Sequence, residues 1–253
     1  MQARMQARIA VTLGLLAGVL AFAATDVARA QELPKLPALD KTLKASETAL
    51  VLVDFQNSFA APKGEHYPRL EKQFQETRML ENSLELVKQA RALGIQVIHV
   101  IEGYTGDYRE LDWGNGADFH RSQILRQAWK SDSWMAQLFE PMRDAKDIVL
   151  PDRKTLSGFA GTSLDYILKS RGIRNVAVAG FTADVCVYAT AVGGYDLGYR
   201  MYSITDAMVA ADVALTKEML RYSFPKISRA MTTKQFLAMF PATGSPATAG
   251  TSQ

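Results

Sequence analysis

The chain contains a single cysteine, Cys186, which stands near the end of the stretch from Val176 to Val187, VAVAGFTADVCV. Small and apolar residues run into Gly180, a short loop follows, and the pattern predicts a helix starting near Cys186. A helix start offers unsatisfied N–H groups and the positive end of the helix dipole, and both favour a thiolate over a thiol. Cys186 therefore reads as a sulfur nucleophile. It reads equally as a small buried hydrophobe, because free cysteine is among the most buried residue types. A second residue with chemical potential is Asp54, which closes the run Thr48-Ala-Leu-Val-Leu-Val-Asp54. The run predicts a strand buried on both faces, and an acid at the C-terminal end of such a strand sits where open α/β sheets place their sites. The structural alternative for Asp54 is a helix or turn cap.

The elements that must position these two residues follow from the apolar periodicity. With 253 residues and 48% hydrophobic content, the chain can bury one sizeable core. Residues 1–30 stand apart: Arg4 and Arg8 precede an apolar run from Ile9 to about Ala24, and Ala28-Arg29-Ala30 supplies a small-x-small cleavage site. This is the layout of a secretory signal peptide, so the chain is expected to be exported to the periplasm or secreted, with Gln31 as the new N-terminus and no stable membrane association after cleavage. Removing Arg4, Arg8, Arg29 and Asp26 takes the formal charge from +3 to about +1, which leaves no basic field for nucleic acid. A lone thiol in an oxidising compartment is a liability unless it is buried or used.

Residues 31–47 form a Pro- and Lys-rich lead-in, residues 48–240 the domain, and 241–253 a Pro-, Ala-, Thr- and Gly-rich tail with the composition of a disordered end. After the first strand, residues 55–75 read as a loop, 76–93 as a helix with Gly94 as its stop, and 96–101 as the second strand. Strand, helix, strand in this order implies a parallel pair with a crossover, the unit of a doubly wound sheet. Residues 102–147 interleave aromatics with charges and suit either a lid or sheet-edge packing, with one helix over 120–130. A brief strand at 148–150, a helix after Thr162, the strand before Cys186, a helix to about Leu197, a strand at 199–204, a helix over 209–224 and a short final unit complete the order.

Three segments, VLVDFQNSF at 51–59, KTLSGFAGTSLDYIL at 154–168 and GIRNVAVAGFTADVCVYAT at 172–190, closely resemble the isochorismatase-like cysteine hydrolase superfamily. The resemblance extends over nearly all of the chain from Thr48 to about Phe240 and implies a three-layer α/β/α fold with a mostly parallel, doubly wound sheet. It implies a triad in which Cys186 is the nucleophile, Asp54 exchanges a proton with it, and Lys154 is the cation that orients Asp54 and holds the thiolate. Many relatives place that lysine four residues before the serine of the Ser-Gly-Phe element, whereas here Lys154 precedes Ser157 by three and Arg153 holds the fourth place. A one-residue loop difference would bring Lys154 into the role. Arg153 fits it less well, because a guanidinium spreads its charge and keeps its proton too firmly.

The resemblance also implies an oxyanion hole from the backbone N–H groups of Thr182 and Cys186, with a cis Phe181–Thr182 peptide. Phe55, Gln56, Phe59, Trp134 and Phe159 are the expected substrate-pocket residues. Nicotinamidase relatives hold a divalent metal with an Asp and two His, but this chain has only His66, His99 and His120, far apart in the sequence, so neither a metal nor another cofactor is expected. The expected function is cleavage of a C–N bond in a small amide or ureide through a covalent acyl-enzyme. The alternatives are a non-catalytic small-molecule binding protein on the same fold and a thiol redox protein, the latter disfavoured by the lack of a resolving cysteine. Relatives commonly assemble, so a homo-oligomer is expected.

Overall fold

The computed structural model describes residues 38–114 and 118–241, and the chain from Lys41 onward forms a compact unit of its own. The signal peptide expected over 1–30 lies outside the described residues, as do residues 31–37 of the lead-in and the tail beyond Pro241. Among the described residues, no helix is long and apolar enough to cross a membrane.

The main elements, in chain order, are β1 (Thr48–Val53), α1 (Tyr67–Thr77), α2 (Met79–Ala92), β2 (Gln96–Glu102), α3 (Asp118–Arg126), β3 (Ile148–Arg153), α4 (Leu164–Ser170), β4 (Asn175–Phe181), α5 (Cys186–Asp196), β5 (Arg200–Val209), α6 (Val213–Glu218), β6 (Arg229–Met231) and α7 (Thr233–Leu237). The six strands pair in the order β3-β2-β1-β4-β5-β6, every pair parallel. This is the doubly wound α/β architecture expected from the sequence. The strand order reverses between β1 and β4, so a crevice opens beyond their C-terminal ends.

Strand alternation divides the core into two layers. Leu50 and Leu52 of β1 pack on one face with Leu86, Val87 and Ala90 of α2, while Val51 and Val53 pack on the other with Leu164 and Leu168 of α4 and Val187 of α5. Every residue of β1 and β4 is buried, which explains their unbroken apolar sequences. Each fully buried Leu or Val contributes about 1.5–3 kcal/mol.

Three boundaries differ from the sequence reading. Residues 67–77 form α1 rather than loop, because Pro68 sits in the first turn, where a missing N–H costs nothing. Strand β3 runs on through Pro151 to Arg153; it is an edge strand, where a proline's missing donor is tolerated. Strand β5 continues to Val209, so the next helix starts only at Val213, with the Asp212 carboxylate accepting from the Leu215 N–H. The second of these shifts decides which cation reaches the site.

Gly180 sets the spacing of the two central strands. It pairs with Val53 at φ +127°, and a Cβ there would lie 2.0 Å from the Val53 carbonyl oxygen. Neither backbone can retreat without breaking the sheet. Gly180→Ala is therefore expected to cost about 2 kcal/mol or more, seen as a lower midpoint in urea unfolding. An unchanged midpoint would show that the sheet yields at this point.

Candidate active site

Four side chains converge at the mouth of the crevice, each delivered by the C-terminal end of a strand or the start of the helix after it. Asp54 follows β1 with φ +55°, Glu102 ends β2, Arg153 ends β3, and Cys186 opens α5 after β4. A bulge between Val100 and Glu102 brings Glu102 level with Arg153 across the β2–β3 pair. The Arg153 guanidinium, 2% exposed as a whole residue, donates from Nη2 to both Asp54 oxygens at 2.8 and 2.6 Å and lies 3.3 Å from Glu102 Oε1. Its Nη1 donates to the Leu156 carbonyl at 2.8 Å and to that of Thr155. The Cys186 thiol donates to Glu102 Oε1 at 3.9 Å.

Lys154, the cation expected in this cluster, is not there. Its ammonium donates to the Gly103 carbonyl and lies 3.3 Å from Glu110 Oε1 at the surface. The reason is the length of β3: side chains alternate along a strand, and with the strand carried through to Arg153, that residue faces inward and its successor turns away. Arg153 thus occupies the place beside Asp54 that the resemblance assigns to a lysine.

The electrostatics also depart from expectation. Burial pushes the Cys186 thiol up, well above its ordinary range, and the charges of Asp54 and Glu102 push it further than Arg153 can pull it down. The helix start and the neighbouring cation therefore do not produce a resting thiolate. Burial also raises both carboxyls, and in Glu102, where the Asp54 charge adds to it, the pKa is pushed up to about 8. The shorter contacts from Arg153 go to Asp54, and that cation works against the rise in both carboxyls.

This arrangement has a signature in stability. Glu102 binds its proton more tightly folded, near pH 8, than unfolded, near its ordinary 4.5, so its contribution to stability is fullest below about 4.5 and falls as pH rises towards 8. Glu102→Gln is expected to flatten that decline, read as melting temperature by circular dichroism across the interval. An identical slope in the two proteins would mean that Glu102 titrates normally.

Around the cluster lies a cavity of about 470 Å³ walled by Phe59, His66, Phe119 and Trp129, with Arg69 and Arg126 also on its lining and Thr182 and Asp184 near the thiol. The rings stack: Phe59 lies 5.5 Å from Trp129, 5.3 Å from Phe181 and 4.7 Å from His66, centroid to centroid. Burial holds His66 neutral, with its pKa pulled down to about 3. The Phe181–Thr182 peptide is cis, and the Val187 N–H donates to the Thr182 carbonyl at 3.2 Å, folding the 182–187 loop over the start of α5.

Of the five expected substrate-pocket residues, Phe59 alone lines this cavity. Phe55 is buried edge-on against Phe181 in the core. Phe159 lies under α5, stacked on Tyr199 at 5.6 Å. Trp134 is 46% exposed at the surface, and its carbonyl accepts from the Asn57 side chain. Gln56 acts on the backbone instead. Its amide donates to the carbonyls of Glu102 and Ala136 at 2.8 and 2.7 Å, and its oxygen accepts from the Glu102 N–H at 3.1 Å. It thereby pins the main chain of the residue next to the thiol. Sequence reasoning passed over Glu102, although the rule that singles out Asp54, a carboxylate ending a buried strand, applies to it equally.

Ligand atoms of Asp54, Glu102 and Cys186 lie within 4.8 Å of one another, close enough to hold a metal ion, but the Arg153 guanidinium among them already supplies the positive charge. Two of the three histidines have partners elsewhere, while His66 stays on the cavity wall. His99 is paired with Asp147 at 2.8 Å, and His120 contacts the Lys154 carbonyl at 2.9 Å.

Comparison with known proteins places these observations in a family. The family model for the isochorismatase domain matches residues 48–235. Ureidoacrylate amidohydrolase RutB from Acinetobacter baylyi is 29% identical over 180 residues, covering 67% of this chain and 73% of that protein. A cysteine hydrolase from Pseudomonas syringae pv. phaseolicola shares the fold with a TM-score of 0.67 at 21% identity, over 82% of this chain and 98% of its own. N-carbamoylsarcosine amidase from Thermoplasma acidophilum does so with a TM-score of 0.57 at 24% identity, over 74% and 96% of the two chains.

Proposed function

Because the chain belongs to the isochorismatase domain family, we propose that it hydrolyses a C–N bond in a small amide or ureide through Cys186 and a covalent acyl-enzyme. The observation that carries this reading is the Cys186 thiol beside two buried carboxyls and an arginine, at the rim of a cavity of about 470 Å³, a size suited to a small molecule. Its relatives RutB and N-carbamoylsarcosine amidase are named for acting on a ureido acid and a carbamoyl amino acid, and the arginines Arg69 and Arg126 on the cavity lining suit a substrate of that anionic kind.

In the proposed course the sulfur attacks the carbonyl carbon, and the N–H groups of Thr182 and Cys186 receive the developing oxyanion. Two aimed amides contribute several kcal/mol to such a transition state. The amine leaves with a proton from the buried acid–base system, and water then releases the acid from the thioester. The apolar run behind two N-terminal arginines makes export part of this reading.

A second reading, a binding protein without turnover, draws on Arg153 standing in the lysine's place and on a thiol that is protonated at rest. A panel of N-carbamoyl amino acids, ureido acids and primary amides separates the two. Release of ammonia or amine from at least one member is expected. Ligands bound but none turned over would favour the binder.

A further inference from the structure

The site holds two carboxyls where a single acid would suffice, and their surroundings differ. Both Asp54 oxygens receive the Arg153 Nη2 at 2.6 and 2.8 Å, so that carboxylate is neutralised and fixed. Glu102 touches the same nitrogen only at 3.3 Å, and its Oε1 accepts from the Cys186 thiol at 3.9 Å, a thiol that is also a hydrogen-bond partner of Asp54. Its backbone is held on both sides by Gln56, and its side chain is 1% exposed. Arg153 cannot release a proton near neutral pH, so it cannot act as a proton carrier. We infer that Glu102, rather than Asp54, is the acid–base residue that takes the thiol proton and delivers it to the leaving amine, while Asp54 anchors Arg153.

This inference rests on the hydrolase reading above. The S–H proton passes to the Glu102 carboxylate as the sulfur electron pair forms the C–S bond and the carbonyl pair moves onto oxygen. Collapse of the tetrahedral adduct breaks the C–N bond, and the nitrogen takes the proton from Glu102. In the second half, water gives a proton to Glu102 as it attacks the thioester, and the departing sulfur recovers that proton. A thiol protonated at rest needs such a base, and a carboxyl titrating near pH 8 is matched to the work. The groups that face Glu102 and set its titration are Asp54, Arg153, Cys186 and, farther off, Arg126, while Tyr104 feels its charge in turn.

The test is the rate of Cys186 alkylation by iodoacetamide across pH 6–10, in wild type, Glu102→Gln and Glu102→Asp, with folding checked by circular dichroism. The two possible roles of Glu102 predict opposite signs. If it only repels the thiolate, removing its charge lowers the thiol pKa and speeds alkylation. If it accepts the proton, the wild-type rate rises through an inflection near pH 8, and Glu102→Gln loses the inflection and reacts at least about 10-fold more slowly above it. A wild-type profile without that inflection, or a Glu102→Gln protein that reacts as fast as wild type, overturns the inference. Should the glutamine variant not fold, an inflection that stays in place in Glu102→Asp overturns it equally. Alkylation as expected, with no member of the amide and ureide panel turned over, would sink the hydrolase reading and leave the proton transfer standing.

Discussion

Cys186→Ala is expected to lose at least about 10³-fold in kcat/KM on whichever amide or ureide the wild type cleaves, while still binding it. Removing the nucleophile of a covalent hydrolase eliminates the acyl-enzyme route, and what remains is the contribution of binding and the oxyanion donors. The site leaves no substitute: among the described residues the chain's only cysteine is the group at the junction of the cavity, the carboxyls and the start of α5. The side chain is small and the cavity lies beside it, so alanine removes the sulfur with little loss of packing and the KM should stay within a few-fold. Initial-rate kinetics with ligand binding by calorimetry measure both quantities. Turnover within 10-fold of wild type would show that the sulfur is a packing residue and would leave the cluster without a nucleophile.

Arg153→Met should be the most damaging change to stability in the site, about 3–5 kcal/mol, since it leaves a buried carboxylate without its counter-charge. For a chain of this size that is a drop in melting temperature on the order of 10 °C. The guanidinium is 2% exposed, pairs with Asp54 at 2.6 Å and also closes the Thr155 and Leu156 carbonyls, so methionine replaces its volume and none of its bonds. The loss depends on pH in a definite sense. As pH falls below about 4 the carboxyls become neutral in both folded and unfolded chains, and the gap between variant and wild type narrows. Arg153→Lys keeps the charge and should recover part of the loss, but one ammonium cannot serve Asp54, Glu102 and both carbonyls from a single position. Melting curves of the three proteins at neutral and acid pH decide the matter. A methionine variant as stable as wild type would mean that Asp54 is neutral and that the cluster carries no internal ion pair.

The elements legible in the sequence were those whose signals are local. The unbroken apolar runs of β1 and β4 marked central parallel strands, and Gly94, at φ +75°, ended α2 where a C-terminal glycine was read. The start of α1 near Pro68 and the extension of β3 through Pro151 were not legible, because a proline's meaning depends on its neighbours. One lies in a helix's first turn and the other on a sheet edge, and neither position is visible one residue at a time.

The amino-acid order by itself determined the strand-and-helix alternation, the doubly wound class and the meeting of Asp54 with Cys186, because buried parallel strands must deliver their C-terminal ends to one edge. Only the folded chain decided that Arg153 and not Lys154 stands beside Asp54, that Glu102 joins them, and that the thiol rests protonated. These outcomes turn on where an edge strand stops and on a single bulge in its neighbour, and in a strand one residue more or less exchanges the inward side chain for the outward one.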